Sequence, residues 1–348
     1  MKSKNTTSDM NTEIISKLYK QVTGQQHDKI EQLTGSGSNR QYFRMTGIRN
    51  LIAVRGESIA ENRAFIYMAR HFHEKGIPVP EVLAVSDDES CYIQEDLGDT
   101  LLFNTIANGR NTGIFSNHEK ELIRKSITVL PSIQFKGAED MDFGMCYPLS
   151  DFNRRTVMWD LNYFKYCFLK ATGINFNESD LEDDFEEMTD ILLSASSDTF
   201  MYRDFQSRNV IIKDEKPFFI DFQGGRKGPI YYDVASFLWQ AKANFNSEIR
   251  EEMIETYISE ANKFTEINSE EFKRTLHHFV VFRTMQVLGA YGFRGLFERK
   301  THFIESIPYA LNNLQALFKN HSNEYLYLSK LLMQLSEMDI NDITTLKQ

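Results

Sequence analysis

Apolar positions along the chain change period near residue 97. Before that point they come in short runs at 29–34, 41–46 and 51–54, each the length of a strand. The first two are separated by GSGSNR, residues 35–40, rich in groups that tolerate tight turns and expose backbone N–H. The spacing then becomes helical over 59–74, with Phe65, Met68, Ala69 and Phe72 on one face. Gly76 ends that helix, and Pro78 and Pro80 forbid its resumption. Runs at 82–85 and 91–94 read as a hairpin around 87–89. Upstream, residues 1–12 are polar and expected to fray. Thr12 can cap a short helix that groups Ile14, Ile15, Leu18, Tyr19 and Val22.

Beyond 97 helical spacing dominates. Helices are expected at 117–132, 153–171, 180–195, 232–244, 247–264, 269–292, 300–319 and 324–337. Only the segment 199–221 interrupts them with strand character. The pattern implies an α+β protein of two lobes. Residues 1–97 form a small antiparallel sheet with one main helix, and 98–348 form a larger, mostly helical lobe.

Composition narrows the class. A chain of 348 residues with 41% hydrophobic and 25% charged positions can bury two ordinary cores. Its net charge of −10, without a basic run, argues against nucleic-acid or anionic-membrane partners. Three scattered cysteines, Cys91, Cys146 and Cys167, suit reduced thiols. No apolar stretch follows the N-terminal charges, and no run reaches the ~18 residues of a membrane span. A cytoplasmic protein is expected, as a monomer or weak dimer.

The chemistry concentrates in MYRDFQSRNV, residues 201–210, and FFIDFQ, residues 218–223. Asp204 and Asn209 lie five positions apart on a loop, and Asn209 opens an apolar run. Asp214, Glu215, Lys216 and Pro217 turn the chain, and a second apolar run returns Asp221 beside the loop. Oxygen ligands converging in this way suit Mg²⁺, usually held by one or two carboxylates plus substrate phosphates. Phosphoryl transfer needs phosphates, metal and acceptor hydroxyl to be positioned. In that reading Asp204, preceded by Arg203, orients the hydroxyl or takes its proton, and Asn209 and Asp221 hold the metal. A turn-forming Asp and Asn at the ends of a hairpin would be the bland alternative.

RDFQSRN and IDFQ resemble the catalytic and metal-binding segments of the aminoglycoside phosphotransferase superfamily, relatives of the protein kinases. The resemblance covers roughly residues 30–320 and implies ATP and Mg²⁺, with Asp204 as base and Asn209 and Asp221 as metal ligands. It places Ser36, Gly37, Ser38 and Asn39 in the loop that covers the nucleotide. Glu95 and Leu97, in EDLG, fall at the hinge on which adenine lies. Asp233 resembles the residue that braces the catalytic loop. Two positions depart. Tyr202 stands where the family usually has His, and the third strand, LIAVRGE, has no phosphate-binding Lys. Arg55 is the nearest cation, and an Arg55–Glu61 pair could orient phosphates through the guanidinium fork.

Which acceptor is used is less constrained. GSNRQYFR, EDLGD, RDFQSRN, IDFQ, GPIYYDVASFL and RTMQVLGAYG together are similar to the bacterial anomeric sugar kinases of cell-wall recycling. Those enzymes act on the C1 hydroxyl of N-acetylmuramate and N-acetylglucosamine. A lactyl carboxylate calls for a cation near the acceptor. Arg203, Arg208, Arg226, Arg154 and Arg155 are candidates. Gln223, Asp160 and Asn162 could meet sugar hydroxyls. Aminoglycosides, whose positive charge an acidic run at 181–190 would suit, a choline-type alcohol, or a silent nucleotide-binding role are the alternatives.

Overall fold

The computed structural model describes residues 3–33, 40–318 and 325–338. Five antiparallel strands form the first sheet: β1 (Lys29–Leu33), β2 (Gln41–Thr46), β3 (Leu51–Arg55), β4 (Val82–Val85) and β5 (Cys91–Glu95), in the order β1-β2-β3-β5-β4. Alternation divides the central strand between two faces. Leu51 and Ala53 pack with Ile15, Leu18 and Tyr19 of helix α1 (Ser3–Thr23), while Ile52 and Val54 join the main core with Phe65 and Met68 of α2 (Ile59–Glu74). Ser58 caps α2 by accepting from the Glu61 N–H at 3.3 Å.

Thr12 does not cap α1 but lies within it. Once the apolar face anchors on the sheet, adding residues N-terminally needs no new nucleus.

After β5 the chain is mostly helical. Two short helices, α3 (Leu102–Thr105) and α4 (Ala107–Thr112), precede α5 (Asn117–Pro131), α6 (Arg154–Cys167) and α7 (Glu178–Ser194). Next come β6 (Thr199–Met201), β7 (Val210–Lys213), β8 (Lys216–Phe219) and β9 (Arg226–Gly228), which pair as β6–β9 and β7–β8. The β7–β8 turn is tighter than expected: only Asp214 and Glu215 form it, both with positive φ, and Lys216 and Pro217 already belong to β8. That left-handed pair matches the twist of a two-residue hairpin. Helices α8 (Tyr231–Leu238), α9 (Ser247–Ala261), α10 (Ser269–Tyr291), α11 (Thr301–Ile304), α12 (Ile307–Phe318) and α13 (Leu326–Ser336) complete the fold. The helix expected over 300–319 divides before α12, where Pro308 has no N–H to continue the ladder. No helix among the described residues is long and apolar enough to cross a membrane.

The hairpin ties the two parts of the chain together. Phe219 N–H donates to the Pro78 carbonyl at 2.9 Å, and Ile212 N–H donates to the Thr100 carbonyl at 2.7 Å. On the far side, α10 crosses α6 at glycines. A Cβ on Gly292 would sit 2.1 Å from the Cys167 carbonyl oxygen and 3.0 Å from Phe168 Cα. Both neighbours are backbone and cannot rotate aside. Gly292→Ala is therefore expected to destabilise by roughly 1–3 kcal/mol or more, the scale of overpacking. At Gly224 an added Cβ meets nothing within 4 Å. Thermal denaturation should show a clear fall in midpoint for Gly292→Ala and little change for Gly224→Ala; equal midpoints would contradict the packing described.

Candidate active site

Pairing of β6 with β9 delivers the loop Tyr202–Asn209 to the cleft between the sheet and the helices. Arg203 in that loop has φ +75°, a conformation that costs a side chain of this size energy unless its surroundings impose it. Asp233, fully buried on α8, imposes it. Its carboxylate accepts from Tyr202 N–H and Arg203 N–H, each at 2.8 Å, and from Gln134 Nε2 at 3.2 Å. Gln134 is held in turn by Tyr257, whose hydroxyl donates to Oε1 at 2.5 Å. Burial pushes the Asp233 carboxyl up to about 7 against the opposing pull of those donors.

Asp204 follows with its carboxylate exposed and 3.7 Å from Arg283 Nη2 of α10. Asn209 Nδ2 donates to the Asp204 carbonyl at 2.8 Å, which leaves Oδ1 as the amide's available ligand atom. At the hairpin's other end Ile220 N–H donates to the Asn209 carbonyl at 3.0 Å, and Asp221 turns with φ +68°. The Asp221 carboxyl is raised by burial first and then by the charge of Asp204. Gln223 Nε2 donates to its Oδ1 at 2.8 Å, while Gln223 Oε1 is buried without a hydrogen-bond partner. Two mutually repelling carboxylates, an amide oxygen and an orphaned acceptor fit a hydrated divalent cation.

An aromatic column supports the cleft. Tyr92 stacks on Phe65 at 5.1 Å, Phe65 on Phe222 at 4.8 Å, and Phe222 meets Tyr202 edge-on at 6.2 Å. Tyr202 also donates its hydroxyl to the Ile220 carbonyl. The aromatic at this position thus binds the strand end that carries Asp221.

Two cavities meet at the loop. One of about 700 Å³ lies under the sheet, with Tyr42, Ile52, Gln94, Leu97, Asn209 and Asp221 among its walls. The other, about 190 Å³, lies against α10 and α11 and contains Asp204 and Arg283. Arg208 lines both.

The sequence pattern of the phosphotransferase enzyme family matches residues 145–266, the segment that carries this loop and hairpin. Over that segment the chain carries the pattern of those enzymes. It is a phosphotransferase with an alcohol group as acceptor. Among its relatives is the N-acetylmuramate/N-acetylglucosamine kinase of Neisseria meningitidis serogroup B, 25% identical over 74% of this chain and 76% of that protein. The enzyme of the same description from Pseudomonas aeruginosa is 24% identical over 58% of this chain and 56% of its own length. Solved structures with the same protein-kinase-like fold include choline kinase from Cryptosporidium parvum, at TM-score 0.60 and 12% identity over 92% of this chain and 99% of that one. An aminoglycoside phosphotransferase complexed with GDP and kanamycin gives TM-score 0.58 and 11% identity over 90% and 99%.

In this phosphotransferase the structure redistributes several expected residues. Arg55 shares a strand face with Leu51 and Ala53, opposite Cys91 and on the α1 side of the sheet, so it does not pair with Glu61. Arg40 does: its Nη2 lies 3.3 Å from Glu61 Oε1 and donates to the Glu61 carbonyl at 3.1 Å. Strand parity dictates the exchange. Ser36, Gly37, Ser38 and Asn39 lie outside the described residues. Leu97 is buried at the cavity, and Glu95, which also lines it, turns its carboxylate to Lys213 at 2.8 Å. Arg203 faces Asp160 at 3.6 Å, and Arg226, buried beside Arg203, donates to the Gly224 carbonyl at 3.2 Å. Asn162 lines neither cavity. The acidic run pairs elsewhere, Glu182 with Lys165 and Glu186 and Asp190 with Arg154.

Two residues escaped the sequence reading. Arg44 on β2 clasps Asp96 at 2.7 Å and Asp99 at 2.6 Å, closing one end of the larger cavity. The alternation of Tyr42 and Arg44 was its available signal. Arg283 left none, since its reach depends on how α10 packs.

Because folding raises the Asp233 pKa from an ordinary 3.8 to about 7, the folded chain binds the extra proton between these values. Stability from this group is complete below pH 3.8 and declines as pH rises to about 7. The difference in thermal midpoint between wild type and Asp233→Asn should shift against wild type across that window and flatten above it. A difference independent of pH would show that Asp233 is ionised throughout.

Proposed function

We propose that this phosphotransferase transfers the γ-phosphoryl group of ATP to the anomeric C1 hydroxyl of N-acetylmuramate or N-acetylglucosamine. The observation that carries the reading is the smaller cavity, which opens on the exposed carboxylate of Asp204 and adjoins the larger one at Arg208. It places an acceptor beside Asp204, and the larger cavity has room for a nucleotide. The names of the two kinase relatives support the amino-sugar class.

In the proposed mechanism Asp204 accepts the proton of the attacking hydroxyl, its carboxylate oriented by Arg283. Asn209 Oδ1 and the Asp221 carboxylate would hold Mg²⁺, with Gln223 fixing the carboxylate's rotation. Magnesium there supplies neutralisation of the charge on the phosphates. Leu97 and the backbone around Glu95 receive the adenine edge. Arg40, paired with Glu61, is assigned the phosphate-orienting cation. The cationic lining of the smaller cavity, with Arg208, Lys242 and Arg283, disfavours a polycationic aminoglycoside or choline.

Asp204→Ala is expected to lower kcat by roughly 10²–10⁴-fold, the range for loss of a general base, with ATP binding kept. Near-normal turnover would sink the assignment. Phosphorus NMR of a reaction with N-acetylmuramate should show a C1 phosphate and loss of the reducing end; a product that keeps its reducing end would move the acceptor hydroxyl elsewhere on the sugar. Arg40→Met should raise KM for ATP about tenfold or more, as loss of a charge-assisted contact does. An unchanged KM with a lowered thermal midpoint would make Arg40 a structural pin instead.

A further inference from the structure

The smaller cavity carries a charge pattern out of keeping with the chain. In a protein of net charge −10, its walls hold Arg208, Lys242, Arg283 and His302 against a single carboxylate, Asp204. Two of these cations are already engaged, Lys242 with Glu305 at 2.8 Å and Arg283 with Asp204 at 3.7 Å. Arg208 is different. Its guanidinium lies 4.5 Å from the centre of the Phe103 ring, and that of Arg110 lies 4.0 Å from the same centre. Among the described residues no carboxylate lies within ion-pair distance of either arginine. The two charges repel, and Arg208 helps lower the pKa of Arg110 after burial has done so. Folding has placed two like charges around one ring with no counter-ion from the protein.

We propose that Arg208, assisted by Arg110, forms an anion subsite that binds a carboxylate on the acceptor sugar. Specificity is thereby directed to a carboxyl-bearing amino sugar over its neutral counterpart. This rests on the acceptor reading given above and assigns it a charge. The guanidinium fork matches a carboxylate in two parallel hydrogen bonds, and Phe103 fixes its plane. Tyr291 and Phe303 supply apolar wall to the same cavity, against which the carbon face of a sugar ring can lie. Asp204 stands in the same cavity, so an acceptor anchored by its carboxylate presents its hydroxyls toward the base.

The test is calorimetric binding of N-acetylmuramate and of its neutral lactyl amide to wild type, Arg208→Gln and Arg110→Gln. Wild type should bind the acid at least about tenfold more tightly than the amide, the scale of a charged hydrogen bond. Arg208→Gln should abolish that preference, and Arg110→Gln should reduce it. Arg208 is exposed, so the variant should keep the wild-type thermal midpoint. Equal binding of acid and amide to wild type, or a preference that survives Arg208→Gln, overturns the subsite. Glucuronate against glucose repeats the comparison on another scaffold. Absence of phosphoryl transfer to amino sugars therefore counts against the acceptor reading, while the acid–neutral ratio alone decides the subsite.

Discussion

Everything at the cleft depends on one buried carboxylate. Asp233 on α8 spends both oxygens on the backbone of Tyr202 and Arg203. In a dry interior such bonds are stronger than their counterparts in water, and leaving them unmade costs more. They offset the left-handed turn at Arg203, which aims the next residue, Asp204, out of the core. The loop thus acquires the rigidity of the helix that braces it. Gln134 and Tyr257 extend the brace to the helical turn that follows α5 and to α9, so the loop's geometry rests on three helical regions.

The second constraint is that sheet and helices must present their polar groups to the same space. The column Tyr92–Phe65–Phe222–Tyr202 runs from β5 through α2 to the Asp221 turn and the loop itself. Tyr202 closes it at both ends of its side chain, the ring against Phe222 and the hydroxyl on the Ile220 carbonyl. Aromatic contacts of this kind add specific geometry to buried area. A smaller polar residue at 202 could make the hydrogen bond but would leave the column short.

How much of this was legible beforehand varied with the range of the interaction. Period changes located the strands of the sheet, α2 and most of the long helices, because burial of one face writes itself into neighbouring positions. The convergence of Asp204, Asn209 and Asp221 was legible for a similar reason: a hairpin only a few residues long carries one end back to the other. Arg283, Arg44 and the Arg110–Arg208 pair were not, since each depends on elements remote in sequence packing at particular angles. β9 is three residues long, too short to show a period. Thr12 as a cap misjudged cooperativity rather than propensity.

The pairing of Glu61 with Arg40 instead of Arg55 follows from what the core needs of β3. Ile52 and Val54 occupy the cleft side of β3, so a cation supplied from that strand would displace core side chains. A residue entering β2 can reach Glu61 without that loss, and Arg40 reaches it with its side chain only 3% exposed. Burial at that depth favours an arginine. Desolvation lowers the pKa of any buried base, and a lysine at such a position risks losing its proton. Arg40 instead holds its charge: desolvation works against it, but Tyr92, Tyr42 and Glu61 outweigh that effect and its pKa is raised. In the proposed assignment, what the nucleotide needs is a permanent positive charge fixed to Glu61 and felt by Asp221, and the strand from which it comes is incidental.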